Sequence, residues 1–136
     1  MDPYGIDRYQ KLHIWIGTNF APEADYQRYF DLDYSVELDD PAYRVCGFCQ
    51  DMGLRWYDED FIGIIPRREQ PVSLDEILAD SSVDPHQLGA LKAACERLGI
   101  THANAIFWYS DGGVEVSRPL KAHYNGLCYI GLFEGD

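Results

Sequence analysis

The sequence predicts an α+β fold, one domain across residues 1–136, with a mixed or antiparallel sheet of about five strands and about four helices packed mainly on one face. Three observations lead there. Apolar runs with a strand's two-residue period stand toward both ends of the chain. Segments with helical spacing and capping residues lie between them. No repeat, low-complexity tract or linker divides the 136 residues, a length that suits one domain and can bury its own core.

Lys11–Ile16, KLHIWI, alternates Leu12, Ile14 and Ile16 with His13 and Trp15, as a half-buried strand does. Pro22 at a first helical position, with Glu23 and Asp25 behind it, predicts a helix carrying Tyr26, Tyr29 and Phe30 and ending near Asp31–Asp33. The acidic run 31–40 reads as a loop. Asp40 as cap and Pro41 as first residue predict a second helix, with Val45, Phe48 or Cys49, and Met52 inward and Gly53 as its stop. Arg55–Ile65 reads as a strand with an acidic first half, ended by Pro66. Ser73 and Glu76 form a capping box for a short helix over about 74–80. Asp84-Pro85 caps the clearest helix, 85–98, with Leu88, Leu91, Cys95 and Leu98 on one face and Gly99 closing it. Ala103–Tyr109 reads as a strand, Asp111-Gly112-Gly113 as a hairpin turn, and Val114 and Val116 as the return strand. Leu127–Phe133 is almost wholly apolar, which suits a central strand, with an exposed edge as the alternative. The resulting order is β-α-α-β-α-α-β-β-β.

The charge balance narrows the function. Net charge is −12, which disfavours direct binding to nucleic acid or anionic membrane and favours a basic partner. The charge is uneven: residues 23–60 hold eleven acids and three bases, and residues 31–40 hold five acids and no base. Such a cluster either solubilises one face or steers a partner toward it. The ten tyrosines supply amphipathic area, either rimming the core or forming a binding surface. The N-terminal residues MDPYGIDRYQ show no secretory leader, and no apolar run is long enough for a bilayer. The expected location is the cytoplasm, with the four cysteines reduced.

Two motifs could carry chemistry. Cys46-Gly47-Phe48-Cys49 has the spacing of a dithiol site. Redox use requires one cysteine at a helix start, whereas capping at Asp40 places both cysteines one to two turns inside a helix, beside Asp39 and Asp40, which would raise a thiol pKa. Zinc needs a second close pair, and Cys95 and Cys128 are far apart in sequence. Asp58-Glu59-Asp60, if extended, puts Asp58 and Asp60 on one face. Paired carboxylates can do acid–base work or hold a metal, yet no other residue pattern supports either. The four histidines are dispersed, and no phosphate loop or nucleophile elbow is present. The sequence therefore assigns no catalytic residue, cofactor or metal, and predicts a protein that is not an enzyme. The alternative is a small thiol- or metal-using enzyme centred on Cys46 and Cys49; a ligand-binding module is a third class.

Three stretches carry a family likeness. They are His13-Ile14-Trp15-Ile16-Gly17 before a Tyr- and Phe-rich helix, Phe48-Cys49-Gln50-Asp51-Met52-Gly53 leading to Tyr57-Asp58-Glu59-Asp60-Phe61, and Ala103-Asn104-Ala105-Ile106-Phe107. Together they resemble the immunity protein 22 family of bacterial polymorphic toxin systems, over roughly residues 12–110, with a less clear match from Asp111 on. Trp15, Asp58, Asp60 and Asn104 match its pattern. The resemblance implies an α+β antidote without catalysis, which binds a cognate toxin and blocks it. Many such toxins are nucleases with basic clefts, and an acidic protein can place carboxylates where phosphates would sit. On that reading Asp31, Asp33, Glu37, Asp39, Asp40, Asp58 and Asp60 supply the charge, and Tyr34, Trp56 and Tyr57 are aromatic anchors. The toxin's identity and the oligomeric state stay open at this point.

Overall fold

A computed structural model describes residues 6–135; residues 1–5, part of the N-terminal stretch on which the leader expectation rests, lie outside the described residues. The fold is α+β. Strands β1 (Lys11–Gly17), β2 (Ile62–Ile64), β5 (Ala105–Tyr109) and β6 (Leu127–Glu134) form an antiparallel sheet in the order β2-β5-β1-β6. A second sheet pairs the two-residue strands β3 (Val72–Ser73) and β4 (His102–Ala103). Among the described residues four α-helices complete it: α1 (Glu23–Arg28), α2 (Gly47–Met52), α3 (Leu74–Leu78) and α4 (Leu88–Arg97).

The helices cover both faces of the sheet, not mainly one. Along β1, Leu12, Ile14 and Ile16 pack on α3 and α4 with Ile77, Leu91 and Cys95. Trp15 turns the other way, into a core with Tyr26, Phe30, Phe48 and Met52 of the α1–α2 side. Strand β5 splits in the same way: Ala105, Phe107 and Tyr109 face α1 and α2, whereas Ile106 and Trp108 face α3 and α4. A period-two strand with large apolar residues at both phases needs two covered faces, and β1 is accordingly buried from Leu12 to Gly17. Register locks the two layers: Trp15 lies opposite Phe107, and their rings stack 4.8 Å apart.

Several predicted elements take another form. Strand β6 stands at the edge of its sheet, where β1 is its one strand neighbour. Its apolar run reflects cover on both faces, with Leu127 and Tyr129 on the α1–α2 side and Cys128, Ile130 and Phe133 on the other. A bulge opposite Ile14–Trp15 skips Ile130, beside Gly131 at φ 151°. Residues 111–116 form no hairpin. Both edges of β5 are already taken by β1 and β2, and the Asp111 carboxylate accepts from Arg8 Nε (2.8 Å), Arg8 Nη2 (2.9 Å) and Gly113 N (2.9 Å). Those bonds send Val114 across the face of His13, whose Nε2 lies 2.6 Å from the Val114 carbonyl.

The helices start later or end earlier than their signals imply. Pro22 is the N-cap of α1, which stops at Arg28. The α2 helix begins at Gly47, not at Pro41. Asp40 does accept from Ala42 N (2.7 Å), but Asp33 Oδ2 captures Arg44 N (3.0 Å), which a helix starting at Pro41 would have used internally. Side-chain acceptors of this kind compete with helix propagation. The 3₁₀ turn Pro85–Gln87, capped by Asp84, precedes α4. On α4, Leu91 and Cys95 are buried, while Leu98 is 54% exposed past the helix end.

Asn104, between β4 and β5, clasps the turn after β1. Its Oδ1 accepts from Asn19 N (2.8 Å), and its Nδ2 donates to the carbonyls of Asn19 (2.9 Å) and Arg68 (3.1 Å). The residue is 1% exposed. Truncation would strand three backbone groups, so Asn104→Ala is expected to cost ~1–3 kcal/mol, read as a lower urea midpoint with an unchanged m-value.

Candidate partner-binding surface

The acidic loop after α1 is held in place by its own side chains. Asp33 Oδ1 accepts from Ser35 N (2.9 Å) and Ser35 Oγ (2.5 Å), and its Oδ2 accepts from Arg44 N. These bonds hold the Asp33 carboxyl down to about 2. A depressed carboxyl stabilises the fold above its unfolded value of 3.8, and that contribution is lost as pH falls through about 2. Asp33→Asn should therefore flatten the acid limb of the stability curve in that window, as followed by circular dichroism.

Arg55 joins this loop to the next segment. Its Nε donates to the Leu38 carbonyl (2.5 Å) and its Nη2 to the Asp40 carbonyl (3.1 Å), and its guanidinium lies over the Tyr43 ring at 5.0 Å. Two residues on, the Tyr57 hydroxyl donates to the Phe30 carbonyl (2.5 Å). Asp58 N then donates to the Tyr109 hydroxyl (3.0 Å). The loop 31–43 and the segment 55–60 are thus fixed side by side on the α1–α2 core.

The ten residues singled out from sequence divide. Asp31, Glu37, Asp39 and Asp60 are exposed, and so are Tyr34 at 75% and Trp56 at 46%. Among the described residues none of these four acids makes an ion pair. Asp33 is a correction: it is 8% exposed and spends its acceptors on the loop itself. Tyr57 is another. It is 2% exposed, packed against Phe48 at 5.1 Å, and serves the core rather than a partner. Asp40 and Asp58 are half-buried, their carboxylates engaged with Ala42 N and Asp60 N.

The segment 55–61 is not a strand, so Asp58 and Asp60 do not share a strand face. Asp58 caps a 3₁₀ turn, Glu59–Phe61, through its bond to Asp60 N (2.9 Å). Three consecutive acids favour such a local turn over a sheet ladder. Sequence reasoning left out two exposed neighbours. Glu59 was visible in the triplet and is exposed. Leu38 is 43% exposed; its only sequence signal was an apolar residue set alone among acids.

The cysteine pair also sits elsewhere than predicted. Cys46 is the extended residue just before α2, and Cys49 lies in its first turn, so the pair is not one to two turns inside a helix. Among the described residues no group of three or more His, Cys, Asp or Glu is placed to hold a metal ion, and no helix is long and apolar enough to cross a membrane. Trp15 and Asn104, both in the family pattern, are buried structural residues.

Comparison with known sequences places these features. The chain belongs to the immunity protein 22 family, whose sequence profile matches residues 12–135. The likeness therefore continues past Asp111 through loop 111–126 and strand β6, where the sequence reading had seen it fade. No curated protein and no solved structure matches the chain.

Proposed function

We propose that this member of the immunity protein 22 family acts in the cytoplasm of the producing cell, where it binds a cognate nuclease-type toxin and occludes its basic cleft without catalysis. The observation that carries this reading is the group of exposed carboxylates, without an ion pair among the described residues, on a loop and an adjoining turn anchored before any partner arrives. Asp31, Glu37, Asp39 and Asp60 supply charge, with Asp40 and Asp58 partly exposed behind them. Tyr34, Leu38 and Trp56 offer apolar area among those charges, the combination from which interface anchors are built. Asp33 and Arg55 do the anchoring, which lowers the ordering cost of association. Carboxylates set at the positions of substrate phosphates would fill a basic cleft, and the same charge would steer the approach.

The test is capture of the tagged protein with its bound partners from its native cells, at low and at high salt, with partners identified by mass. Recovery of a near-stoichiometric basic protein, or a large protein ending in a toxin domain, that is lost at high salt supports the reading. Absence of any such partner while the toxin genes are expressed overturns it.

A further inference from the structure

We infer that Cys46 and Cys49 form a peroxide-sensitive dithiol that closes reversibly to an intramolecular disulfide on the floor of the acidic surface. Three features of the structure converge there. First, the two thiols stand three residues apart around the first turn of α2, Cys46 extended at φ −68°, ψ 164°. The two side chains interact directly, the proximity that a disulfide between them requires. Second, Cys46 lines a groove together with Arg28, Asp31, Asp33 and Arg44, so the residue borders open space although it is 7% exposed; Cys49 is 0% exposed. Third, the Tyr43 hydroxyl, in a residue 8% exposed, has no hydrogen-bond partner among the described residues. Burial raises its pKa, and the neighbouring Cys49 and Cys46 thiols act in the same direction. A phenol in that neighbourhood can donate to an oxygen added to sulfur.

The two thiols are also unequal. Cys49 and nearby backbone groups draw the Cys46 thiol down, while the Cys46 interaction and burial push Cys49 up. Cys95, in the other core, is pushed up to about 11 by burial. The six-residue helix adds little field of its own; the spacing and the groove do the selecting. The Cys46 thiolate attacks a peroxide oxygen and displaces hydroxide, which becomes water with the proton Cys46 had released. Cys49 then attacks the resulting sulfenic sulfur, loses its own proton to the leaving hydroxyl, and a second water departs as the S–S bond forms. The two sulfurs give up two electrons and the peroxide is reduced to two waters.

The experiment uses the purified full chain and needs no toxin, so its failure is separate from failure of the antidote reading. The protein is treated with hydrogen peroxide, free thiols are alkylated, and tryptic peptides are weighed. Both cysteines fall in one peptide, Val45–Arg55. The expected result is that this peptide is unalkylated and lighter by two hydrogens, and recovers both thiols after dithiothreitol, while the Cys95 and Cys128 peptides stay alkylated. Without peroxide, Cys46 should alkylate at least about tenfold faster than Cys95 at neutral pH. Doubly alkylated Val45–Arg55 after peroxide, irreversible acid on Cys46, or earlier oxidation of Cys95 or Cys128 would overturn the assignment. Cys49→Ser, if folded, should trap a dimedone-reactive sulfenic acid on Cys46; a folded variant with no adduct counts against the proposal.

Discussion

Replacing Glu37 by Gln and Asp39 and Asp60 by Asn together is expected to slow association with the toxin by about tenfold or more at low salt, with a much smaller change in dissociation. The three side chains are exposed and carry no internal ion pair among the described residues, so their charge is available to a partner at distance. Steering of this kind changes association rates by ~10–10³-fold and fades as salt screens it. The triple variant should accordingly show a flatter dependence of association rate on ionic strength. Its thermal stability should stay close to the parent's, because none of the three side chains caps, packs or bridges another element. Asp33→Asn is the informative contrast: it should alter acid stability and leave salt dependence nearly unchanged. Trp56→Ala and Tyr34→Ala should act on dissociation instead, since buried aromatic anchors govern residence time. Equal kinetics for the triple variant and the parent, measured by stopped-flow against the captured toxin, would remove this surface from the interface.

Trp15→Ala should destabilise the fold by ~3–5 kcal/mol, the range for deleting a large buried aromatic side chain. Trp15 is 0% exposed. It stacks on Phe107, meets Phe48 at 5.7 Å and Tyr129 at 5.3 Å, and so joins α2 to three strands. Single domains have roughly 5–15 kcal/mol in all, so much of the margin would go. Phe107→Ala should cost a similar amount, and the double variant less than the two losses added, because both singles break the same stack. Urea unfolding followed by far-ultraviolet circular dichroism measures all three. Trp56→Ala, at an exposed site, should shift the midpoint little.

The core was legible from sequence wherever alternation was strict. Leu12, Ile14 and Ile16 announced one face of a strand, and Leu91 and Cys95 the inner stripe of α4. The second phase of β1 was harder to read, because His13 and Trp15 are amphipathic and look at home near solvent. Only α1 and α2 folding over Trp15 made that face an interior, and this is why helices lie on both sides. Strand β6 was undecided between centre and edge for the converse reason: an apolar run signals cover on both faces, which a central strand and a sheltered edge share.

The candidate surface was legible as charge and illegible as role. Five acids in ten residues marked the loop, yet nothing local separated Asp33, which is spent on Ser35 and Arg44, from Asp39, which is free among the described residues. Tyr57 and Trp56 are adjacent and chemically alike, but one enters the core and the other does not. The helix start that Asp40 signals, which would bury both cysteines inside a helix, is overridden by Asp33 from seven residues upstream.

The sequence by itself determined the α+β class, the principal strands β1, β5 and β6, the caps at Ser73 and Asp84, the family likeness and the acidity of residues 31–40, because these follow from periodicity, local capping chemistry and composition. Tertiary structure decided strand order, the two-sided core, the late start of α2 beside Cys46, and which acids face outward. Each of those depends on hydrogen bonds and packing between residues distant in the chain, such as Asp33 with Arg44, Tyr57 with Phe30 and Trp15 with Phe107, whose competition no local window contains.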